Sequence, residues 1–286
     1  GHILAMNSAS AQISRFGAVS EFVGGVSSIH NLKTLRDSNG KIKMEVLLES
    51  FSNLKSAIIP ASKIEVVISA SNQNFDKETT SKTGLETLDV LNGIDLQSEE
   101  IAWITGSDVN FCAQAFPTVG YDHPDAPILT VLGAVLRNGF LHSAIREKGG
   151  AYGSGAQQDS ASRSFRFFSY RDPNCMETFN AFNESIEWSL KSINSEKLEE
   201  GILGVISSID KPGSPAGEAR ADFNQNIRGI DQSKRKIFRS RVINCSVERL
   251  VEVSNKYLTC EPKKSVISGK HFEKEIKDLG LSIHYV

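Results

Sequence analysis

A double glycine between an apolar helix and a strand of small residues constrains this chain more than any other feature. The apolar residues before it, within 129–145, recur at helical spacing and predict a long helix. Gly149 and Gly150 can both take the left-handed conformation that ends a helix. Tyr152 follows among small residues, which would let another backbone or a ligand approach closely. Arg146 and Tyr152 therefore lie on the two sides of a tight corner that could grip a ligand.

The order of the predicted elements indicates an α+β fold. A half-buried strand at 109–116 precedes the long helix at 126–148, and a hairpin of strands at 151–158 and 165–170 follows it. Helices then dominate until a closing strand at 264–268, which is not the alternation of a doubly wound sheet. We expect a two-layer sandwich of a mainly antiparallel sheet with helices packed on one face, preceded by a helical arm. The helices after the hairpin are predicted from Asn174, at 195–209, at 218–229, at 231–242, from Ser246, and at 272–279.

A polar stretch at 92–107, interpreted as a linker around Trp103, divides the chain into two parts. Residues 1–107 would hold a helical arm, the first helix and strand elements and this linker. Residues 108–286 would form a C-terminal α+β domain. The elements predicted in the first part are helical segments within 7–36, a turn at 37–40, a helix at 42–58, a strand at 64–70 and a helix at 72–90.

The charge and cysteine content exclude several classes of protein. A formal net charge of −2 and a pI near 6.4 give no electrostatic basis for binding nucleic acid or an anionic membrane surface. No run of about eighteen apolar residues is present, so the sequence predicts no transmembrane helix. Cys112, Cys175, Cys245 and Cys260 form no C-x-x-C pair and favour a reducing compartment such as the cytoplasm. The localisation is otherwise undetermined.

The residues alone reveal neither a metal site nor a nucleophile. The six histidines lack zinc-binding spacing, and H-E-x-x-H, H-x-x-E-H, G-x-S-x-G and phosphate-loop motifs are absent. Arg146 could bind a carboxylate or carbonyl oxygens in fork geometry, and Tyr152 could donate to a developing oxyanion. The alternative is that Arg146 caps the helix end while Tyr152 packs on the sheet. Spacing leaves both interpretations open.

Several segments, in order along the chain, resemble the pitrilysin/insulinase metallopeptidases, especially the presequence-protease branch. The segment Leu141–Gly153 resembles the family's C-terminal signature, and Phe168–Asn174, which reads FSYRDPN, resembles the hairpin end of that branch. Further similarity lies in 109–111, 117–119 and 210–215.

This resemblance implies that the complete enzyme has two halves with different roles, which close around a chamber. The N-terminal half would bind zinc through an H-x-x-E-H helix and a distal Glu, so this chain would bind no metal. Arg146 and Tyr152 would match the arginine and tyrosine that reach the bound peptide, with Gly149 and Gly150 also at the substrate. The implied partners are a peptide substrate and the N-terminal half, and the chain alone would be inactive.

The resemblance leaves two other interpretations open. The chain could be a non-catalytic binding subunit that pairs with a separate zinc-bearing chain. It could also be a family scaffold that serves only in assembly, although the intact Arg146/Tyr152 pair argues against that. A chain that does not begin with Met and opens on a linker-like arm favours a C-terminal portion of a longer peptidase.

Overall fold

The computed structural model describes residues 1–33, 35–36, 40–61 and 95–286, and for 57–61 only the backbone. The predicted strand at 64–70 and helix at 72–90 lie outside these residues, as does most of the predicted turn at 37–40. The N-terminal part is helical, as predicted. Its helices are α1 (His2–Ser10), α2 (Arg15–Gly24), α3 (Val26–Lys33) and α4 (Met44–Ala61).

Five strands form one mainly antiparallel sheet. The order is β2-β3-β1-β4, with antiparallel pairing of β2 with β3, of β3 with β1 and of β4 with the second half of β1, and the short β5 pairs in parallel with the first residues of β1. The α+β architecture with a helical arm is therefore confirmed. The strands are β1 (Ile101–Pro117), β2 (Gly153–Asp159), β3 (Ser164–Tyr170), β4 (Lys263–Gly269) and β5 (Ser282–Tyr285).

The helices of the second part pack on one face of this sheet. Strand side chains such as Phe116 and Phe167 alternate toward that face and join the apolar sides of the helices in the main core. Ser246 caps the last long helix as predicted, since its hydroxyl accepts from the Arg249 amide. The helices are α5 (Asp125–Leu136), α6 (Met176–Lys191), α7 (Ser195–Ile209), α8 (Pro215–Ile227), α9 (Gln232–Ile243), α10 (Val247–Tyr257) and α11 (Glu273–Asp278), which follows a 3₁₀ turn at Lys270–Phe272.

The opposite face of the sheet is covered by α1, which the sequence did not lead us to expect. Ala5 and Ala9 pack with Trp103 and Ile267 in a second, smaller core. The Trp103 indole donates to the Ser8 hydroxyl at 3.0 Å. The small side chains of Ala5 and Ala9 let this helix approach the strands closely.

The stretch interpreted as a linker contains the beginning of β1, so that interpretation was wrong for residues 101–107. Strand residues run without a gap from Ile101 to Pro117, but their pairing with β4 changes direction: Ile101–Ile104 pair in order with Ser265–Ser268, and 111–115 pair in reverse order with 267–263. The polar residues of 105–110 therefore lie where the chain turns back between two segments that both pair with β4. The C-terminal tail likewise contains β5, which the sequence analysis missed. The proposed division of the chain at 107 stays a prediction.

The predicted helix at 126–148 is confirmed, but its second half is π-helical. A π-helical segment, Arg137–Lys148, continues α5 without a break. In the described part of the chain, this continuous helix, Asp125–Lys148, is long and apolar enough to cross a membrane. Half of its most apolar window is buried inside the fold, and core helices often meet the same criterion, so this finding says little about a membrane.

Candidate functional site

The corner that follows the π-helical segment is held by three backbone hydrogen bonds. They run from the amides of Gly149, Gly150 and Ala151 to carbonyls of the last helical turn, each 3.1 Å long. Only Gly150 is left-handed, with φ +78°, while Gly149 keeps a helical conformation. The expectation of two left-handed glycines was therefore wrong for Gly149. That position is restricted by space instead, because a Cβ there would lie 2.7 Å from the Ile145 carbonyl oxygen.

The structure places Arg146 and Tyr152 side by side across this corner. The Arg146 guanidinium carbon lies 6.0 Å from the centre of the Tyr152 ring. Both side chains are exposed, and Tyr152 retains 61% of its accessible surface. The Tyr152 amide donates to the Arg171 carbonyl at 3.2 Å, which fixes its backbone. Rigid backbones thus carry two exposed side chains, an arrangement suited to contacting something outside the chain.

The small residues after Tyr152 make room for a ring of the neighbouring strand. A Cβ on Gly153 would lie 2.5 Å from atoms of the Tyr170 ring, and one on Gly155 would lie 2.8 Å from the Phe168 ring. The Tyr170 ring lies 5.5 Å from that of Tyr152. The close approach predicted for this strand is therefore made by aromatic side chains of β3, which support one side of Tyr152.

Polar groups behind the corner fix its backbone. The side-chain amide of Asn174 donates to the Gly149 carbonyl at 2.6 Å, so this residue braces the corner, and Cys175 takes the helix-cap position that we had expected for Asn174. The carboxylate of the buried Asp172 accepts from the backbone amide of Asn174 at 3.0 Å and from the Thr178 hydroxyl at 2.7 Å. Burial raises the pKa of Asp172, and hydrogen bonds from Ser169, Asn174 and Thr178 oppose that rise.

Arg171 is the residue of this site that sequence analysis missed. Its guanidinium carbon lies 5.7 Å from the centre of the Tyr152 ring, and its backbone is left-handed with φ +49°. Such a conformation is uncommon for a residue with a side chain and often occurs at functional positions. The sequence did contain one signal for Arg171, its position in the hairpin end FSYRDPN. We had used that segment only as evidence for the family resemblance.

The corner contains no metal site, and it is not a closed pocket. No group of three or more His, Cys, Asp or Glu side chains suited to a metal occurs in the residues that the structure describes. One groove of about 670 Å³ is lined by Phe140, Lys148 and Trp188 among others, but by neither Arg146 nor Tyr152. The pair therefore lies on an open surface outside this groove.

Two solved structures illustrate the similarity of this fold to known ones. A protease from Helicobacter pylori is similar with a TM-score of 0.52 and 16% identity, over 61% of this chain and 46% of that one. The inactive peptidase domain of a Bordetella parapertussis protein has a TM-score of 0.50 and 16% identity, over 57% of this chain and 93% of that one. At this level of identity, the likeness defines the fold alone.

The sequence specifies the family. A family model described as the PreP C-terminal domain matches residues 106–268, more than half of the chain. The chain belongs to the PreP C-terminal domain family. The mitochondrial presequence protease of Drosophila melanogaster is 30% identical over 260 residues, which are 87% of this chain and 25% of that protein. That of Eremothecium gossypii is 26% identical over 301 residues, 96% of this chain and 30% of that protein. The resemblance to the presequence-protease branch is thereby confirmed, and the chain spans less than a third of these relatives.

Proposed function

We propose that the chain is the C-terminal, zinc-free portion of a zinc metalloendopeptidase that degrades peptides in a closed chamber. The observation that carries the proposal is the exposed Arg146–Tyr152 pair on a rigid corner, in a domain whose family members are peptidases. Its proposed partners are a peptide substrate and the N-terminal half of the same enzyme. Neither nucleic acid nor a membrane is part of the proposal.

The two side chains would perform different tasks. The Arg146 guanidinium would donate to carbonyl oxygens of the peptide backbone and hold the substrate in place. The Tyr152 phenol would donate a hydrogen bond to the oxygen that becomes negative in the tetrahedral intermediate. Gly149 and Gly150 would let the substrate backbone approach, because they carry no side chains that could block it.

The zinc of such an enzyme would be bound by the N-terminal half. The described residues of this chain do not fit a zinc site, since they contain no cluster of three suitable ligands. We therefore assign no step of the reaction to a metal held here. The chain alone would be catalytically inactive, and it would contribute substrate contacts to a centre located on other residues.

The proposal is tested by Arg146→Gln and Tyr152→Phe in the complete protease. Removing one oxyanion donor typically lowers kcat by about 100-fold or more, so Tyr152→Phe should slow peptide hydrolysis on that scale. Bound zinc, measured by atomic absorption, should stay unchanged in both variants. Arg220→Gln, an exposed arginine on α8, is the matched control and should hydrolyse peptides normally. Near-normal turnover in both site variants would contradict the assigned roles.

A second candidate function is a non-catalytic subunit that pairs with a separate zinc-bearing chain. The Bordetella parapertussis domain shares only its fold with this chain, and its description as an inactive peptidase domain indicates that this fold also occurs in domains without catalytic activity. The two candidates differ in the gene. A reading frame that continues upstream through an H-x-x-E-H motif supports a single long enzyme, whereas a zinc motif found only in a separate gene supports a subunit.

A further inference from the structure

Two guanidinium groups approach the same exposed tyrosine. The guanidinium carbons of Arg146 and Arg171 lie 6.0 and 5.7 Å from the centre of the Tyr152 ring. Neither arginine forms an ion pair with a carboxylate in the described parts of the chain. Arg171 thus places a second exposed guanidinium beside the Tyr152 ring, free to pair with a group from outside the described residues.

The nearest acidic residues in sequence are engaged elsewhere. Glu147 follows Arg146, and its carboxylate lies 3.5 Å from the His142 imidazole. Asp172 follows Arg171 but is fully buried, where it accepts from Asn174 and Thr178. Neither of these carboxylates pairs with Arg146 or Arg171.

The position of Arg171 is fixed by its neighbours on both sides. Tyr170 before it belongs to β3. Asp172 after it forms a two-way backbone bridge with Asn110, with hydrogen bonds of 2.8 and 3.0 Å. This frame maintains the left-handed backbone at Arg171, a strained state for a residue with a side chain. A backbone fixed in this way carries the Arg171 side chain beside the Tyr152 ring.

We propose that Arg171 is a third member of the site, and that it binds a carboxylate group of the peptide substrate beside the backbone contacts assigned to Arg146 and Tyr152. This inference rests on the proposed function for the identity of its ligand. A carboxylate has two oxygens with which the Arg171 guanidinium can form paired hydrogen bonds. Two sources supply this chemistry, the C-terminal carboxylate of a peptide and an acidic side chain within it.

The inference is tested by nuclear magnetic resonance on this chain, with four capped tripeptides as probes. Ac-Ala-Ala-Ala with a free C-terminus is compared with its C-terminal amide, and Ac-Ala-Glu-Ala-amide is compared with Ac-Ala-Gln-Ala-amide. At least one carboxylate peptide should shift the resonances of Tyr152 and of the Arg171 side chain more than its neutral partner does. The pair that shows the difference identifies the source. Equal shifts with carboxylate and neutral peptides would overturn the inference.

Variants of Arg171 separate a specific role from a general charge effect. Arg171→Gln should weaken carboxylate binding by about fivefold, the scale of one exposed charge-assisted contact. Arg171→Lys should restore only part of it, because an ammonium lacks the fork geometry. Arg220→Gln should bind as the unaltered chain does. Unchanged binding by Arg171→Gln would refute the inference.

The proposed function can fail independently of this inference. In the complete protease, Arg171→Gln should raise KM for the preferred carboxylate peptide and leave KM for its neutral partner unchanged. If Arg146→Gln and Tyr152→Phe abolish turnover but Arg171→Gln leaves this discrimination intact, only the carboxylate site is refuted. If turnover is unaffected by the first two variants while carboxylate binding depends on Arg171, only the catalytic proposal is refuted.

Discussion

A buried aspartate anchors the beginning of the helix that carries Arg146. Asp125 opens α5 and is 4% exposed. Its carboxylate accepts from Arg249 at 2.7 Å, from Lys256 at 2.8 Å and from Tyr257 at 2.7 Å, all at or within α10. The change Asp125→Asn should therefore destabilise the whole domain, because it removes the negative charge shared by these donors.

The expected loss of stability depends on how buried Asp125 is and on how exposed its two cationic partners are. A charge-assisted hydrogen bond contributes about 1.5–3 kcal/mol, and breaking a fully buried pair costs about 3–5 kcal/mol. The side chains of Arg249 and Lys256 are 39% and 52% exposed, so both cations regain water in the variant. We therefore expect a loss of about 3 kcal/mol, which for a chain of this size lowers Tm by about 6 °C.

Thermal unfolding followed by circular dichroism at pH 7 measures this loss. The matched control is Asp222→Asn, which breaks an exposed pair with Arg235 and should cost less than about 1 kcal/mol. Equal losses in the two variants would refute the argument from burial.

The same carboxylate gives a pH dependence with a defined sign. Burial raises the pKa of Asp125, but hydrogen bonds from Lys256 and Tyr257 outweigh this effect and the pKa is lowered overall. A lowered pKa stabilises the fold above the unfolded value, near about 3.9, and this stabilisation is lost as the pH falls through the folded value. The difference in stability between the unaltered chain and Asp125→Asn should therefore shrink below about pH 4. A constant difference from pH 7 to pH 3 would contradict this prediction.

Two further changes test the backbone of the corner. Gly150→Ala should lower the free energy of unfolding in urea by about 1–2 kcal/mol, because φ is +78° at this position. The control Gly204→Ala, in open space on α7, should instead raise it slightly. A larger loss in Gly204→Ala than in Gly150→Ala would refute the strain argument. Asn174→Ala should lower the free energy of unfolding by about 1 kcal/mol, because the hydrogen bond to the Gly149 carbonyl is lost. It should also speed amide hydrogen exchange at the corner. Unchanged exchange would show that Asn174 does not brace the corner.

Periodicity predicted most of the second part of the chain. The long helix, the hairpin and the closing strand each show one clear spacing of apolar residues, so their existence and order were confirmed. The beginning of β1 was missed because Ile101–Ile104 is buried on both faces, under α1 on one side and the main core on the other. Burial on both faces removes the alternation that identifies a strand.

The candidate site was predictable only in part. The spacing of Arg146 and Tyr152 around two glycines was visible in sequence, and the resemblance supplied their proposed roles. Arg171 was not visible, because its backbone conformation depends on the bridge between Asp172 and Asn110, which are distant in sequence. A contact between residues that are distant in sequence produces no periodic pattern in the local sequence.

The most direct test of the central claim is the structure of the complete protease with an uncleavable peptide bound. The account predicts that the Tyr152 hydroxyl and the Arg146 guanidinium lie within about 3 Å of carbonyl oxygens of that peptide. The zinc should be held by residues outside this chain. A structure in which the corner faces solvent, with no contact to the bound peptide, would contradict the account.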